Sequence, residues 1–405
     1  MFIPIGNTPR DYAWGSLTGI SEALGTTASG APEAELWLGA HPGSPARILD
    51  PGTVGASTLA EWIARDPETA LAGVDGSVDP VSGEPRLPFL LKILAAGGPL
   101  SLQAHPSSER AQRRFVEEDA AGIARDAAER NYKDPFHKPE LIYALSESFD
   151  ALCGFREPEA TRELLAELAD RAPAEDSAAI VRFASLLEGE PEASLRTAVT
   201  WLLADGDRAE VTRLVDAVIR ASEGDDRLEA ATVRDLAAAY PGDPGIALSL
   251  LLNRVRLARG EVLYLPAGNI HAYLLGTGVE LMAASDNVLR GGLTPKHIDV
   301  PELVVVLDFS PLPVPYLRPE EPAAGLRVYR PDVPDFELAV VEPVSDEPVP
   351  VALTGPAIAI ATAGAFSLRG AEGETRVERG GSVYITPSEQ ALEVTGRGTL
   401  FVATV

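Results

Sequence analysis

The chain has 405 residues, of which 45% are hydrophobic and 23% charged, the composition of a folded protein large enough for two or three domains. Its formal net charge of −26 excludes nucleic acid as a partner, because backbone phosphates need a basic surface. No apolar run is long enough to cross a membrane, and the opening MFIPIGNTPRDYAWGS lacks the basic-then-apolar order of a secretory leader.

Residues 1 to about 100 alternate short apolar runs with Gly and Pro breaks. Within them Glu35 to Pro42 and Leu87 to Ala96 read as strands. Residues 106 to 130 have helical spacing, with Pro106-Ser107-Ser108-Glu109 as the helix entry. Between 156 and 240, apolar residues recur three and four apart in TRELLAELADRA, AAIVRFASLLEG, ASLRTAVTWLLADG and AEVTRLVDAVIRA, which predicts a bundle of four or five helices. That block contains no His and no Lys, so it reads as scaffold or lid. Strand texture returns with LNRVRLARG, EVLYLPAG and HAYLLG and fills the last hundred residues. Short strands between close turns predict closed barrels or jelly rolls. Gly260 to Pro266 and Gly381 to Pro387 share the frame Gly-x-Val-x-x-x-Pro, one in each predicted barrel. His271 follows the first by five residues and Leu392 the second, so only the first barrel carries a ligand there.

The residues suited to chemistry are few and clustered. There are four lysines (Lys92, Lys133, Lys138, Lys296), five histidines (His41, His105, His137, His271, His297) and one cysteine, Cys153, which fits a reducing compartment. In a strand Gln103 and His105 project to one face, as do Lys138 and Glu140, and Pro139 favours the extended conformation this needs. The turn from Pro266 delivers His271 inward with Tyr273 on the same face. Taken singly, these are ordinary features: a core histidine, a surface ion pair. Together Gln103, His105, Glu140 and His271 form a two-nitrogen, two-oxygen set suited to zinc, with Mn, Fe or Co allowed by geometry. The run from Glu280 to His297 then supplies Asp286, Arg290 to stabilise developing negative charge, and Lys296 to bind phosphate as a point charge.

SLQAHP, HKPE, LPAGNIHAY and ASDNVLRGGLTPKH, together with YAWGS, ELWLGAHP and LPFLLKIL, resemble the class I mannose-6-phosphate isomerases from about residue 5 to 310. The resemblance implies a mainly β fold with an α-helical insertion. A cupin-type jelly-roll catalytic barrel would span 1–155 plus 241–315, a helical domain 156–240, and a second, C-terminal jelly roll without metal ligands 316–405. It implies one zinc ion on Gln103, His105, Glu140 and His271, with Arg290 in the active site. Ser101, Lys92 and Lys296 would lie near the substrate phosphate, and Glu280, Asp286, Lys138, His137 and Tyr273 would line the same pocket. Many members have Asn just before His-Lys-Pro-Glu. Here it is Phe136, which changes the hydrogen bonding expected around His137.

The implied reaction interconverts mannose 6-phosphate and fructose 6-phosphate through a cis-enediol. Lys138 is the favoured base, Glu280 its rival, and His137 serves ring opening. The expected partner is a small sugar phosphate, with no nucleic acid and no membrane, on a cytoplasmic monomer. The competing readings are a non-enzymatic, metal-stabilised sugar-binding cupin and an iron-dependent cupin oxygenase. The glutamine ligand and the clustered lysines favour an anionic, non-redox substrate.

Overall fold

In the computed structural model, which describes residues 1–405, one strand organises the part of the chain that holds these motifs. His271–Ala283, thirteen residues long, pairs antiparallel with Leu102–Ala104 and Ser148–Phe155 through its first half and with Phe89–Ala96 and Glu140–Ala144 through its second. The halves meet at Gly276, whose φ of 131° favours glycine and where an added Cβ would sit 2.9 Å from Phe149. A register shift between Tyr273 and Leu275 marks the same bend. Bending here lets one strand serve two walls of a nine-stranded jelly roll. All eight residues of Phe89–Ala96 are buried, so the run is apolar on both faces apart from Lys92. Cys153 packs among the apolar residues of the barrel interior, and burial pushes its thiol up to about 12.

Five α-helices follow the barrel's first strands: Pro158–Arg171, Ala174–Ser185, Pro191–Thr200, Arg208–Ala221 and Leu228–Ala239. Their apolar stripes share a cluster of 40 buried residues with Leu102, Ala104, Ile270 and Leu289. Leu102 and Ala104 therefore face the helices, and strand alternation turns Gln103 to the opposite side. The helical block backs the strand that carries the first candidate ligand.

A ten-stranded sheet is built from the C-terminal residues, with Ala357–Arg369 and Ala391–Thr404 as its longest strands. It also takes in Phe2–Gly6, which pairs with Ser382–Ile385, and Arg47–Ile48. The sequence placed these N-terminal residues in the catalytic barrel. Ile3 and Ile5 instead join a cluster of 33 buried residues in which Leu91, Ile93 and Leu281 of the nine-stranded sheet meet Ile358, Ile360 and Phe401 of the ten-stranded one. Both copies of the Gly-x-Val-x-x-x-Pro frame form a strand after a left-handed glycine, Val262–Leu265 after Gly260 and Ser382–Ile385 after Gly380. Leu392 is buried in the apolar core of the ten-stranded sheet.

The two-walled pairing of His271–Ala283 also depends on Gly278, where a Cβ would lie 2.6 Å from Ile142 Cδ1 and 2.8 Å from the Tyr143 carbonyl. Gly278→Ala is expected to cost about 1–3 kcal/mol in urea denaturation. An unchanged midpoint and slope would show that these strands separate freely.

Candidate functional site

Cross-strand register assembles the site. His271 lies opposite Gln103, Gln103 lies opposite Arg290 on its other side, and Met282 lies opposite Glu140. The Gly268 N–H donates to the His105 carbonyl at 2.8 Å, tying the turn before His271 to the first ligand segment. His105, Glu140 and His271 are each 1% exposed, and one ligand atom from each lies within 4.8 Å of the others.

Each imidazole is oriented through Nδ1. His105 Nδ1 lies 2.7 Å from the Asn287 carbonyl and His271 Nδ1 lies 3.1 Å from that of Asn269. A carbonyl only accepts, so each Nδ1 carries the proton and each Nε2 presents a lone pair. Both lone pairs face one carboxylate: His105 Nε2 is 3.3 Å from Glu140 Oε1 and His271 Nε2 is 3.4 Å from Oε2. His105 Nε2 and Glu140 Oε2 have no hydrogen-bond partner. Buried acceptors facing one another are costly unless a cation lies between them. The Gln103 amide, 3.2 Å from His271 Nε2, adds an oxygen after a half-turn about its terminal bond. The group therefore fits a divalent cation with mixed nitrogen and oxygen ligands. Burial, then the Lys138 ammonium, bring His105 down to about 4, which keeps it neutral and able to ligate. Burial alone would raise Glu140, but Lys138 and His105 hold it well below the usual carboxylate range.

The remaining predicted residues divide. Lys138 faces inward, with Nζ 2.9 Å from Glu140 Oε1. The same alternation turns His137 outward, where Nε2 meets Asp335 Oδ2 of the C-terminal part at 2.7 Å. His137 thus holds two parts of the chain together and does not enter the pocket. Phe136 lies under the Arg86 guanidinium, 3.6 Å from its ring centroid, so a cation–π contact stands where an asparagine would hydrogen-bond. Lys92 does not reach toward an anion. Its Nζ is 2.8 Å from Glu280 Oε2 and 3.3 Å from Glu35 Oε1, and Trp37 Nε1–H donates to Glu35 Oε2 at 3.0 Å. The cause is register, since Lys92 lies opposite Glu280 on one neighbouring strand and opposite Trp37 on the other. Burial raises the Glu280 carboxyl, Lys92 opposes this, and Glu140 and Glu35 add to it. Tyr273 is buried beside this acidic group with its hydroxyl unpartnered; burial, then Glu280 and Glu140, raise its pKa.

Arg290 and Lys296 form no ion pair, in contrast to Lys92 and Lys138. Burial, then repulsion from Arg290 and Lys133, lowers the Lys296 pKa, so Lys133 belongs to the same group of cations. Unpaired cations gathered in a chain of net charge −26 make a local anion site. Ser101, half-buried, precedes the Gln103 strand. Asp286 Oδ1 lies 3.4 Å from His41 Nε2, and His41 Nδ1 accepts the Gly43 N–H at 3.1 Å, which leaves the His41 proton on Nε2 toward Asp286. Both line a cleft of ≈ 420 Å³ together with Lys133, Asp134 and Phe136.

Sequence reasoning missed Glu35, His41, Lys133 and Asp335 as neighbours of the site. His41 and Lys133 were marked by the rarity of their residue types, and Glu35 by sharing a strand face with Trp37. Nothing local marked Asp335.

A jelly roll that brings two imidazoles oriented through Nδ1, a carboxylate and an amide to one point is a cupin-type metal centre, and the unpaired cations beside it suit it to an anionic ligand. Comparison with known proteins narrows this. The model for the catalytic domain of phosphomannose isomerase type I matches residues 2–158. Mannose-6-phosphate isomerase of Escherichia coli (strain K12) is 37% identical over 396 residues, covering 97% of each chain. The Rattus norvegicus enzyme is 33% identical over 419 residues, covering 96% of this chain and 94% of its own. A crystal structure of mannose 6-phosphate isomerase bound with zinc and yttrium aligns with a TM-score of 0.86 at 35% identity, covering 100% of this chain and 99% of that one. The chain belongs to the type I mannose-6-phosphate isomerases.

Zinc added to metal-stripped protein is expected to raise its melting temperature, saturating at one ion per chain, by linkage to the folded state. Glu140→Ala should abolish the saturable rise. Retention of a wild-type zinc response by that variant would place the metal elsewhere.

Proposed function

We propose that the chain interconverts mannose 6-phosphate and fructose 6-phosphate at a zinc centre held by Gln103, His105, Glu140 and His271. The observation that carries this reading is the convergence of two Nε2 atoms on one buried carboxylate, with His105 Nε2 and Glu140 Oε2 left unpartnered, beside a group of unpaired cations. Zinc bound there would supply Lewis-acid stabilisation of negative charge on the sugar. All other roles belong to side chains of this chain.

Lys296, with Lys133 and Ser101, holds the phosphate. Arg290, across from Gln103, stabilises negative charge developing on the sugar oxygens. Aldose and ketose differ by a proton moved between C2 and C1 and another between the two oxygens, through a cis-enediol. Glu280 carries the carbon-bound proton. Its carboxyl is raised by burial, toward the range where a carboxylate both takes and returns a proton. This reverses the preference drawn from sequence, because the Lys138 ammonium is ion-paired to a metal ligand and has no free lone pair. Lys138 instead offers its remaining N–H groups to the sugar oxygens, as does the unpartnered Tyr273 hydroxyl. Ring opening needs a proton donor and acceptor on the sugar's oxygens, and the His41–Asp286 pair supplies both in place of His137. Every group named belongs to this chain, so the proposed chemistry calls on no second copy. No helix is long and apolar enough to cross a membrane, and the lone buried Cys153 suits the cytoplasm.

The direct test follows fructose 6-phosphate from mannose 6-phosphate, with and without a chelator. Chelator-sensitive product is expected, and its absence from folded, zinc-loaded protein contradicts the reading. Glu280→Gln should lower kcat by about 10²–10⁴ while keeping zinc. The carboxylate is the active form and its pKa is raised, so kcat/KM should fall with decreasing pH already above the ordinary carboxylate range of about 4.3. Lys296→Ala should act mainly on KM. His137→Ala should lower stability and leave turnover close to wild type; a loss as deep as that of Glu280→Gln would return His137 to the catalytic group.

A further inference from the structure

The loop that delivers Lys133, Lys138 and Glu140 has no regular structure. Residues 131–139 lie between the helix Ser108–Ala120 and the strand Glu140–Ala144, without a ladder of backbone hydrogen bonds of their own. Their polar backbone groups must therefore be met by side chains.

One side chain meets four of them, on Lys133, Asp134 and Phe136. Asn287 is 0% exposed, and every polar atom it has is bonded. Its Oδ1 accepts the Lys133 N–H at 2.8 Å and approaches the Asp134 N–H at 3.4 Å. Its Nδ2 donates to the carbonyls of Asp134 and Phe136, both at 2.8 Å, and to Asp134 Oδ1 at 3.2 Å. Its backbone N–H donates to Ser285 Oγ at 3.2 Å. Its backbone carbonyl takes the Nδ1 proton of the metal-ligand candidate His105 at 2.7 Å. Three positions further on, Arg290 pairs with Gln103.

We propose that Asn287 is a positioning residue that fixes the metal centre and the phosphate-binding cations as one rigid unit. Through its carbonyl it sets the ring of His105. Through its amide it sets the backbone that aims Lys133 on one side and Lys138 and Glu140 on the other. It touches neither metal nor substrate. An amide is required because both donors and acceptors face it. Aspartate would bring a carboxylate against two carbonyls and Asp134. Alanine would remove the partners of the Lys133 N–H and the Asp134 carbonyl and leave the Phe136 carbonyl only Ser285 Oγ.

The catalytic half of this inference rests on the proposed isomerase activity, and the metal half does not. The test uses the full chain carrying Asn287→Ala or, as the milder change, Asn287→Ser. Zinc dissociation constants are measured by chelator competition at a temperature where circular dichroism shows both variants folded. KM and kcat for mannose 6-phosphate are then measured at saturating zinc. We expect zinc binding to weaken about 10-fold or more, as for other groups that orient a metal ligand, with a rise in KM in the same variant. Folded variants with wild-type zinc affinity and wild-type KM, however low their melting temperature, overturn the proposal. A change in only one of the two overturns the coupling. If the unsubstituted protein forms no product, the activity reading fails, and the zinc comparison still reports on Asn287.

Discussion

Three groups that repel one another are buried facing a common point: the Nε2 lone pairs of His105 and His271 and the carboxylate of Glu140. Within the protein only Lys138 Nζ, on Glu140 Oε1, and the Gln103 amide, beside His271 Nε2, approach them, and His105 Nε2 and Glu140 Oε2 are left without a partner. The fold holds them there by fixing the far side of each ring on a carbonyl, so that neither imidazole can turn its proton inward. The cost of that arrangement is recovered only when a cation binds. Much of the surrounding architecture can be read as support for it. The bent strand His271–Ala283 brings Gln103 and Glu140 to its two halves, and the helices press on Leu102 and Ala104 from behind.

The same centre sets the charge pattern of the pocket. Two of the four lysines are neutralised close to it, Lys92 between Glu35 and Glu280 and Lys138 against Glu140. Each pair is buried, where an unpaired ion would be costly. Lys133, Lys296 and Arg290 are left without partners in an otherwise acidic molecule. Acidic side chains thus serve two purposes here. Near the candidate metal site they place and tune positive charge, and they leave Lys133, Lys296 and Arg290 without an ion pair. Isomerisation needs both, because the phosphate anchors the sugar while a proton moves at its other end.

The grouping of His105, Glu140 and His271 was legible in the sequence because it rests on local rules. A period of two puts Gln103 with His105 and Lys138 with Glu140, and the turn at Pro266 turns His271 inward. The same rule sends His137 away from Glu140, so its outward position was already implicit. What was not legible is long-range pairing. The partners of Lys92 lie 57 and 188 residues away in sequence, and the partner of His137 lies 198 away. No local pattern assigns such partners. The membership of Phe2–Gly6 in the C-terminal sheet was hidden for the same reason, since an alternating apolar strand does not announce which sheet it completes. The helical block was visible from its three- and four-residue spacing, while its contact with the ligand strand was not.

The central claim is that two neutral imidazoles and two oxygen-bearing side chains hold one metal ion at the meeting point of these strands. X-ray absorption at the zinc edge of loaded protein addresses it most directly. The account predicts a first shell of two imidazole nitrogens and light oxygen donors at about 2.0–2.2 Å, with no sulfur. A sulfur ligand, or a shell with fewer than two imidazoles, would contradict it.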